Sequence, residues 1–219
     1  MRADTEPRLP APPILWVIVG AIAAAYVGYV FAPAKLQFEL EYALVLNPMR
    51  FHQGNPLNLN HWYEAFGPLI GHAFLHVAWW HAAVNAFFLF LLGRLPALRL
   101  GAWRFAFVCL AATLGGALTF LALNWNDNVS AVGASGAVCG VFTAYFMSAR
   151  PRWRDAFADP RVRNPFLVIF LLNVPVMAIA SAAGIFPIAW EAHLGGFIGG
   201  GLAYIALERP LPAPAFRTN

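Results

Sequence analysis

Charge is what this chain has least of. Lys, Arg, Asp and Glu together make up 11% of 219 residues, and Lys35 is the only lysine. A soluble domain carries about a quarter of its residues as charges, because its surface must stay hydrated. With 60% hydrophobic residues, the deficit excludes an ordinary soluble globule and puts most of the chain against lipid. Cysteine is scarce too. Cys109 and Cys139 both fall inside apolar runs, so neither a disulfide framework nor a cysteine-based zinc site is supported. There is no HExxH, and no carboxylate is spaced to act as a metal-assisted base. The net charge of +4 comes from basic residues separated by apolar segments. It forms no stripe or tail of the kind that binds nucleic acid.

What is present is apolar length. A bilayer core of roughly 30 Å needs about 20 apolar residues in a helix. Six segments approach this, near residues 13–32, 69–92, 105–123, 134–149, 165–186 and 188–207. The basic residues sort between them. Twelve of the fourteen lie in the N-terminal tail, the second-to-third and fourth-to-fifth connections and the C-terminal tail; only Lys35 and Arg50 lie on the other side. Lys and Arg favour the cytoplasmic side. The expected architecture is therefore an all-α membrane protein, a six-helix bundle with both ends in the cytoplasm. Residues 1–12 and 208–219 are expected as cytoplasmic tails around one membrane domain, 13–207. The first outer loop, about 33–68, carries Phe38, Tyr42, Phe51, Trp62, Tyr63 and Phe66. Aromatic residues of this kind suit the headgroup region, so the loop is expected to be interfacial.

The fourth segment is short and follows a polar, glycine-rich stretch, 124–136. Irregular backbone at membrane depth is tolerated only where protein buries it or where it lines a water-filled cavity. The expectation is a wet cavity opening outward, with Ser135 at its floor. Polar groups inside spans are functional candidates. Here they are His72, His76, His81 and Asn85 on the second span, Ser135 on the fourth and His193 on the sixth. Helix rise places Ser135 and His193 both roughly 22 Å from the cytoplasmic boundary, and His81 roughly 20 Å. Gly136 with Gly140, and Gly196 with Gly200, are small-xxx-small pairs, which let helix backbones approach closely in lipid. That approach brings the Ser135 hydroxyl within reach of the His193 ring, a base able to activate it. The Ser135 backbone N–H, the His81 ring and the Asn85 amide are candidate donors to an acyl-transfer oxyanion.

These motifs resemble those of the rhomboid family. Gly133-Ala134-Ser135-Gly136 resembles its GxSG motif. Ala192-His193 followed by Gly196 and Gly200 resembles its AHxxGxxxG, and His81-xxx-Asn85 its HxxxN, with His72 and His76 also fitting the pattern. The resemblance implies an intramembrane serine protease with Ser135 and His193 as catalytic dyad, and His81 and Asn85 at the oxyanion. It implies no metal and no cofactor. The implied partners are transmembrane protein substrates, cut near the outer face, and the lipid bilayer. The chain departs from the family at Cys139, where many members have a tyrosine against the histidine. Gly67-Pro68 stands where a Trp-Arg pair often falls.

Other readings follow from the same residues. A non-catalytic binder of transmembrane clients would use the same frame. A third reading has His72, His76 and His81 with His193 bind zinc or a haem iron. His72 and His76 are expected to anchor the outer loop, and Glu191 to sit at the outer rim. Pro175 is expected to kink the fifth helix, a candidate gate for substrates. A compact chain of this kind suits a bacterial inner membrane.

Overall fold

A helix that is apolar around its whole circumference belongs in the middle of a bundle, and one short segment of this chain is of that kind. In the computed structural model, which describes residues 11–53, 62–185 and 188–208, α7 (Ser135–Met147) buries ten of its thirteen residues. Helices α6 (Ala102–Leu123) and α11 (Trp190–Leu207) pack against it and, most extensively, against each other. Around this three-helix core stand α1 (Pro13–Val30), α5 (Trp79–Leu100) and a long helix over Pro160–Ala182. The last consists of α9 (Pro160–Leu171), a π turn (Leu172–Val176) and α10 (Met177–Ala182). The outer helices bury little. Only Leu15 and Ile22 are buried on α1, and only Val162 and Val174 on the long helix. Among the described residues, four helices, α1, α5, α6 and Pro160–Ala182, are long and apolar enough to cross a membrane. The chain is an integral membrane protein.

The structure corrects several boundaries. The segment expected as a loop over 33–68 is largely helical where described: α2 (Ala34–Leu44), α3 (Met49–Gln53) and α4 (Trp62–Gly71). The second span does not start near residue 69. A 3-10 turn, His72–Phe74, follows α4, the backbone is extended at Leu75 and Ala78, and α5 starts only at Trp79. His72 and His76 therefore precede the span on which they were expected. At its other end α5 runs on to Leu100, past Arg94 and Arg99. A single residue, Gly101, joins it to α6 with φ 83°, a left-handed conformation that suits glycine. A short helix, α8 (Trp153–Ala158), precedes the fifth span, which begins at Pro160, not near 165. The expected tails lie almost wholly outside the described residues, as does Phe186.

Thirteen residues of α-helix rise only about 20 Å, so α7 leaves part of a bilayer's depth to the chain before it. Backbone there needs partners within the protein, and the structure supplies them. Leu46 and Ala131 form an isolated antiparallel bridge, N–H to carbonyl at 3.2 and 2.9 Å. Asn47 Nδ2 donates to Asn128 Oδ1 and Ser130 Oγ, both at 3.1 Å. The Gly133 N–H donates to the His72 carbonyl at 2.8 Å.

The opposite end of α7 is tied by a buried ion pair. Arg99 Nη2 meets Glu208 Oε1 at 3.2 Å, with the two side chains 5% and 8% exposed. Arg99 also donates to the carbonyls of Ser148, Arg150 and Pro151, and Glu208 Oε1 accepts from the Trp153 N–H at 2.9 Å. The cluster joins the ends of α5, α7, α8 and α11. Removing one partner of a buried pair strands the other charge, a loss of about 3–5 kcal/mol. Arg99→Ala is therefore expected to lower the thermal midpoint in detergent sharply. Arg99→Lys should rescue little, because an ammonium cannot span three carbonyls and a carboxylate. An unchanged midpoint for Arg99→Ala would contradict this assignment.

Candidate active site

Ser135 opens α7, and His193 lies in the first turn of α11. Glycine backbones bring the two helices together. A Cβ built on Gly196 falls 2.1 Å from the Gly136 carbonyl oxygen, and one on Gly200 falls 2.4 Å from Gly140 Cα. A Cβ on Gly136 meets the Ala192 carbonyl oxygen at 3.2 Å. The residue after Ser135 thus touches the residue before His193, backbone against backbone. The other glycine face of α11 packs on α6: a Cβ on Gly195 would lie 2.1 Å from the Gly115 carbonyl oxygen. Gly115 and Gly116 were not among the residues singled out in the sequence, although the adjacent pair is a signal of a close-packed face.

The His193 ring is buried, 8% exposed. Its Nδ1 lies 3.1 Å from the backbone carbonyl oxygen of Asn173, in the π turn. A carbonyl only accepts, so Nδ1 carries the proton in this bond and Nε2 is left with its lone pair. Among the described residues no hydrogen bond joins Ser135 Oγ to His193 in this state.

Gly133 adopts φ 113° and leaves no room for a side chain, since a Cβ there would meet His81 Cε1 at 2.6 Å and Asn85 Nδ2 at 3.7 Å. The His81 ring and the Asn85 amide therefore face the turn that carries Ser135. Asn85 is buried, and its Nδ2 has no protein partner; His81 Nδ1 is likewise buried and unpartnered. Buried polar groups left unpaired destabilise a fold by about 1–3 kcal/mol each, so their presence together at one turn calls for an explanation.

His72 and His76 meet the same turn. His72 Nδ1 donates to the Pro68 carbonyl at 2.7 Å. The Ala134 N–H donates to His76 Nε2 at 3.4 Å, which leaves Nδ1–H as an unpaired buried donor. The His76 and His81 rings meet edge-on, centroids 5.0 Å apart. Among the described residues no three His, Cys, Asp or Glu side chains converge as a metal-ligand set. Glu191, expected at the rim, is mostly buried in the first turn of α11. A cavity of about 420 Å³ lined by Tyr29, Glu41, His76, Ser130 and Val132 reaches within three residues of Ser135; Ser135 itself is not in its lining.

The model of the Rhomboid domain matches residues 60–210, more than half of the chain. The match takes in α4 to α11, and with them His72, His76, His81, Asn85, Gly133, Ser135, Asn173 and His193. Comparison with curated proteins gives no match.

If glycine contact sets the distance between Ser135 and His193, a single methyl group must disturb it. Gly196→Ala is expected to lower stability by about 1–3 kcal/mol, the usual range for overpacking a tight contact. Gly20→Ala, on α1 with nothing within 4 Å of the added carbon, should leave the melting midpoint unchanged or slightly raised. Equal midpoints for the two variants would remove the basis for this contact.

Proposed function

The chain belongs to the rhomboid family, and from that premise we propose that it is an intramembrane serine endopeptidase with Ser135 as nucleophile and His193 as general base. The observation that carries the reading is the contact of Gly136 with Ala192 and Gly196, beside the unpaired buried nitrogens of His81 and Asn85. Two helices held at backbone contact, next to donors with nothing to bind, match what acyl transfer requires: an activated hydroxyl and a cradle for developing charge.

His193 Nε2 takes the proton of Ser135 Oγ as the oxygen attacks a substrate carbonyl. The carbonyl oxygen, now negative, receives hydrogen bonds from the Ser135 backbone N–H, the His81 ring and the Asn85 amide. The tetrahedral adduct collapses as His193 returns the proton to the leaving amine. Water then attacks the acyl-enzyme by the same route in reverse, and Ser135 is regenerated. The reading needs no metal or cofactor.

In this reading the chain spans the membrane six times over residues 13–207, with both ends in the cytoplasm. The distribution of Arg residues supports that orientation. Substrates are membrane-spanning proteins, cut near the outer face where their helix is locally unwound. They enter between α5 and the Pro160–Ala182 helix, which barely touch. A bacterial inner membrane is the proposed location.

The test is cleavage of a panel of transmembrane reporters by the purified chain in liposomes, with fluorophosphonate labelling in parallel. Wild type should cut and take the label, and Ser135→Ala and His193→Ala should do neither. Asn85→Ala should keep the fold and lose about 10²–10³ in kcat, the loss typical of one oxyanion donor. Reporters bound but never cut, with no label at Ser135, would indicate the non-catalytic client binder instead.

A further inference from the structure

Pro175 lies in the middle of an otherwise regular membrane helix. Proline has no N–H, and its ring collides with the carbonyl four residues back. The helix absorbs this as a π turn over Leu172–Val176. Backbone pairing is shifted there: the Met177 N–H donates to the Val174 carbonyl, three residues back. Just before the shift, Asn173 Nδ2 donates to the Ile169 carbonyl at 2.8 Å. The Asn173 carbonyl oxygen meets His193 Nδ1 on α11 at 3.1 Å. π turns recur at functional sites because they re-aim backbone groups in this way.

The turn is also pinned in place. Val174, the residue after Asn173, is buried in a cluster with Cys139 and Phe197. Cys139 stands one helical turn below Ser135, and Phe197 one turn below His193. Phe170 adds an edge contact to Phe197, with centroids 5.3 Å apart. The cluster therefore sits directly beneath the two reacting side chains and ties all three helices at one height.

We propose that the π turn at Pro175 is the positioning element for His193: its Asn173 carbonyl holds the Nδ1 proton, and so fixes the ring in the orientation and tautomer that leave Nε2 free as the base. The inference rests on the reading of His193 as general base. It assigns to a backbone carbonyl the part that a carboxylate plays in a serine-histidine-aspartate triad. A carbonyl carries no full charge, so it orients the ring without strongly raising its basicity. Orienting partners of metal-bound histidines are worth about 10–100-fold in activity, and the same scale is expected for this bond.

The test uses the full chain in detergent micelles and two readouts. One is the rate at which a small fluorophosphonate labels Ser135, which needs no lateral entry of a substrate helix. The other is the ¹⁵N spectrum of the histidines, with His193 assigned by its loss in His193→Gln. Pro175→Ala, which restores the N–H and lets the helix close, should slow labelling 10–100-fold and shift His193 away from the Nδ1–H tautomer. Val174→Ala, a milder change that loosens the pin, should move both readouts in the same direction by a few fold and keeps the test open if Pro175→Ala does not fold. Pro165→Ala, in α9 and outside the π turn, should move neither. A wild-type His193 protonated on Nε2 overturns the proposal. So does a Pro175→Ala protein that labels at the wild-type rate, even if its cleavage of membrane substrates changes, since that pattern means a gate alone. Absence of any labelling in wild type would sink the protease reading, and the spectrum would still decide whether the π turn holds the ring.

Discussion

A hydroxyl and an imidazole meet inside a lipid-embedded fold only if the helices that bear them approach more closely than ordinary side chains permit. In this chain α11 meets that demand on two faces at once. Gly195 and Gly199 lie against α6, and Gly196 and Gly200 lie against α7. Adjacent residues on a helix point about 100° apart, so a glycine pair repeated every four residues builds two grooves side by side. Lipid offers no hydrophobic drive for helices to associate, and close backbone packing takes its place. The three-helix core follows from this, and so does the sparse burial of α1 and the Pro160–Ala182 helix around it.

Close packing alone leaves α7 free to slide along its groove. Its two ends prevent that by different chemistry. At the Ser135 end, the Gly133 and Ala134 N–H groups are bonded to the His72 carbonyl and the His76 ring. At the Met147 end, Arg99 gathers three carbonyls while Glu208 neutralises it. One end uses neutral donors beside the unpaired nitrogens of His76, His81 and Asn85; the other uses full charges with almost every group satisfied, Arg99 Nε excepted.

Hydropathy and glycine spacing made much of this legible. The apolar runs located the helices, because burial in lipid leaves a signal some 20 residues long. The pairs Gly136/Gly140 and Gly196/Gly200 pointed to the contact that joins α7 to α11. Other features left no such trace. The break over 75–78 is hidden because Leu75 and Val77 are as apolar as any helical residue. Arg99 and Glu208 read as two independent charges at span ends, since nothing in a sequence links residues 109 apart. The Gly115–Gly116 face stands out less because the polar residue on it, Thr119, is a threonine and not an ionisable group. The Asn173 carbonyl was illegible in principle, since every residue has one and only the local helix geometry aims it.

That last point bears on how a peripheral helix comes to hold a core residue. The Pro160–Ala182 helix buries only Val162 and Val174, and most of its apolar side chains face outward. A lipid-facing surface contributes almost nothing to its position, because lipid tails are as apolar as the side chains they meet. What fixes the helix near the site is therefore a short list: the aromatic contacts of Phe166 and Phe170 with Phe197, the burial of Val174, and the bond from His193 to Asn173. The hydrogen bond is the directional member of that list, and in a medium without competing water such a bond keeps more of its strength. Proline has disturbed the helix where that bond is made. A straight α-helix at this place would commit the Asn173 carbonyl to its own ladder and present only apolar side chains to α11.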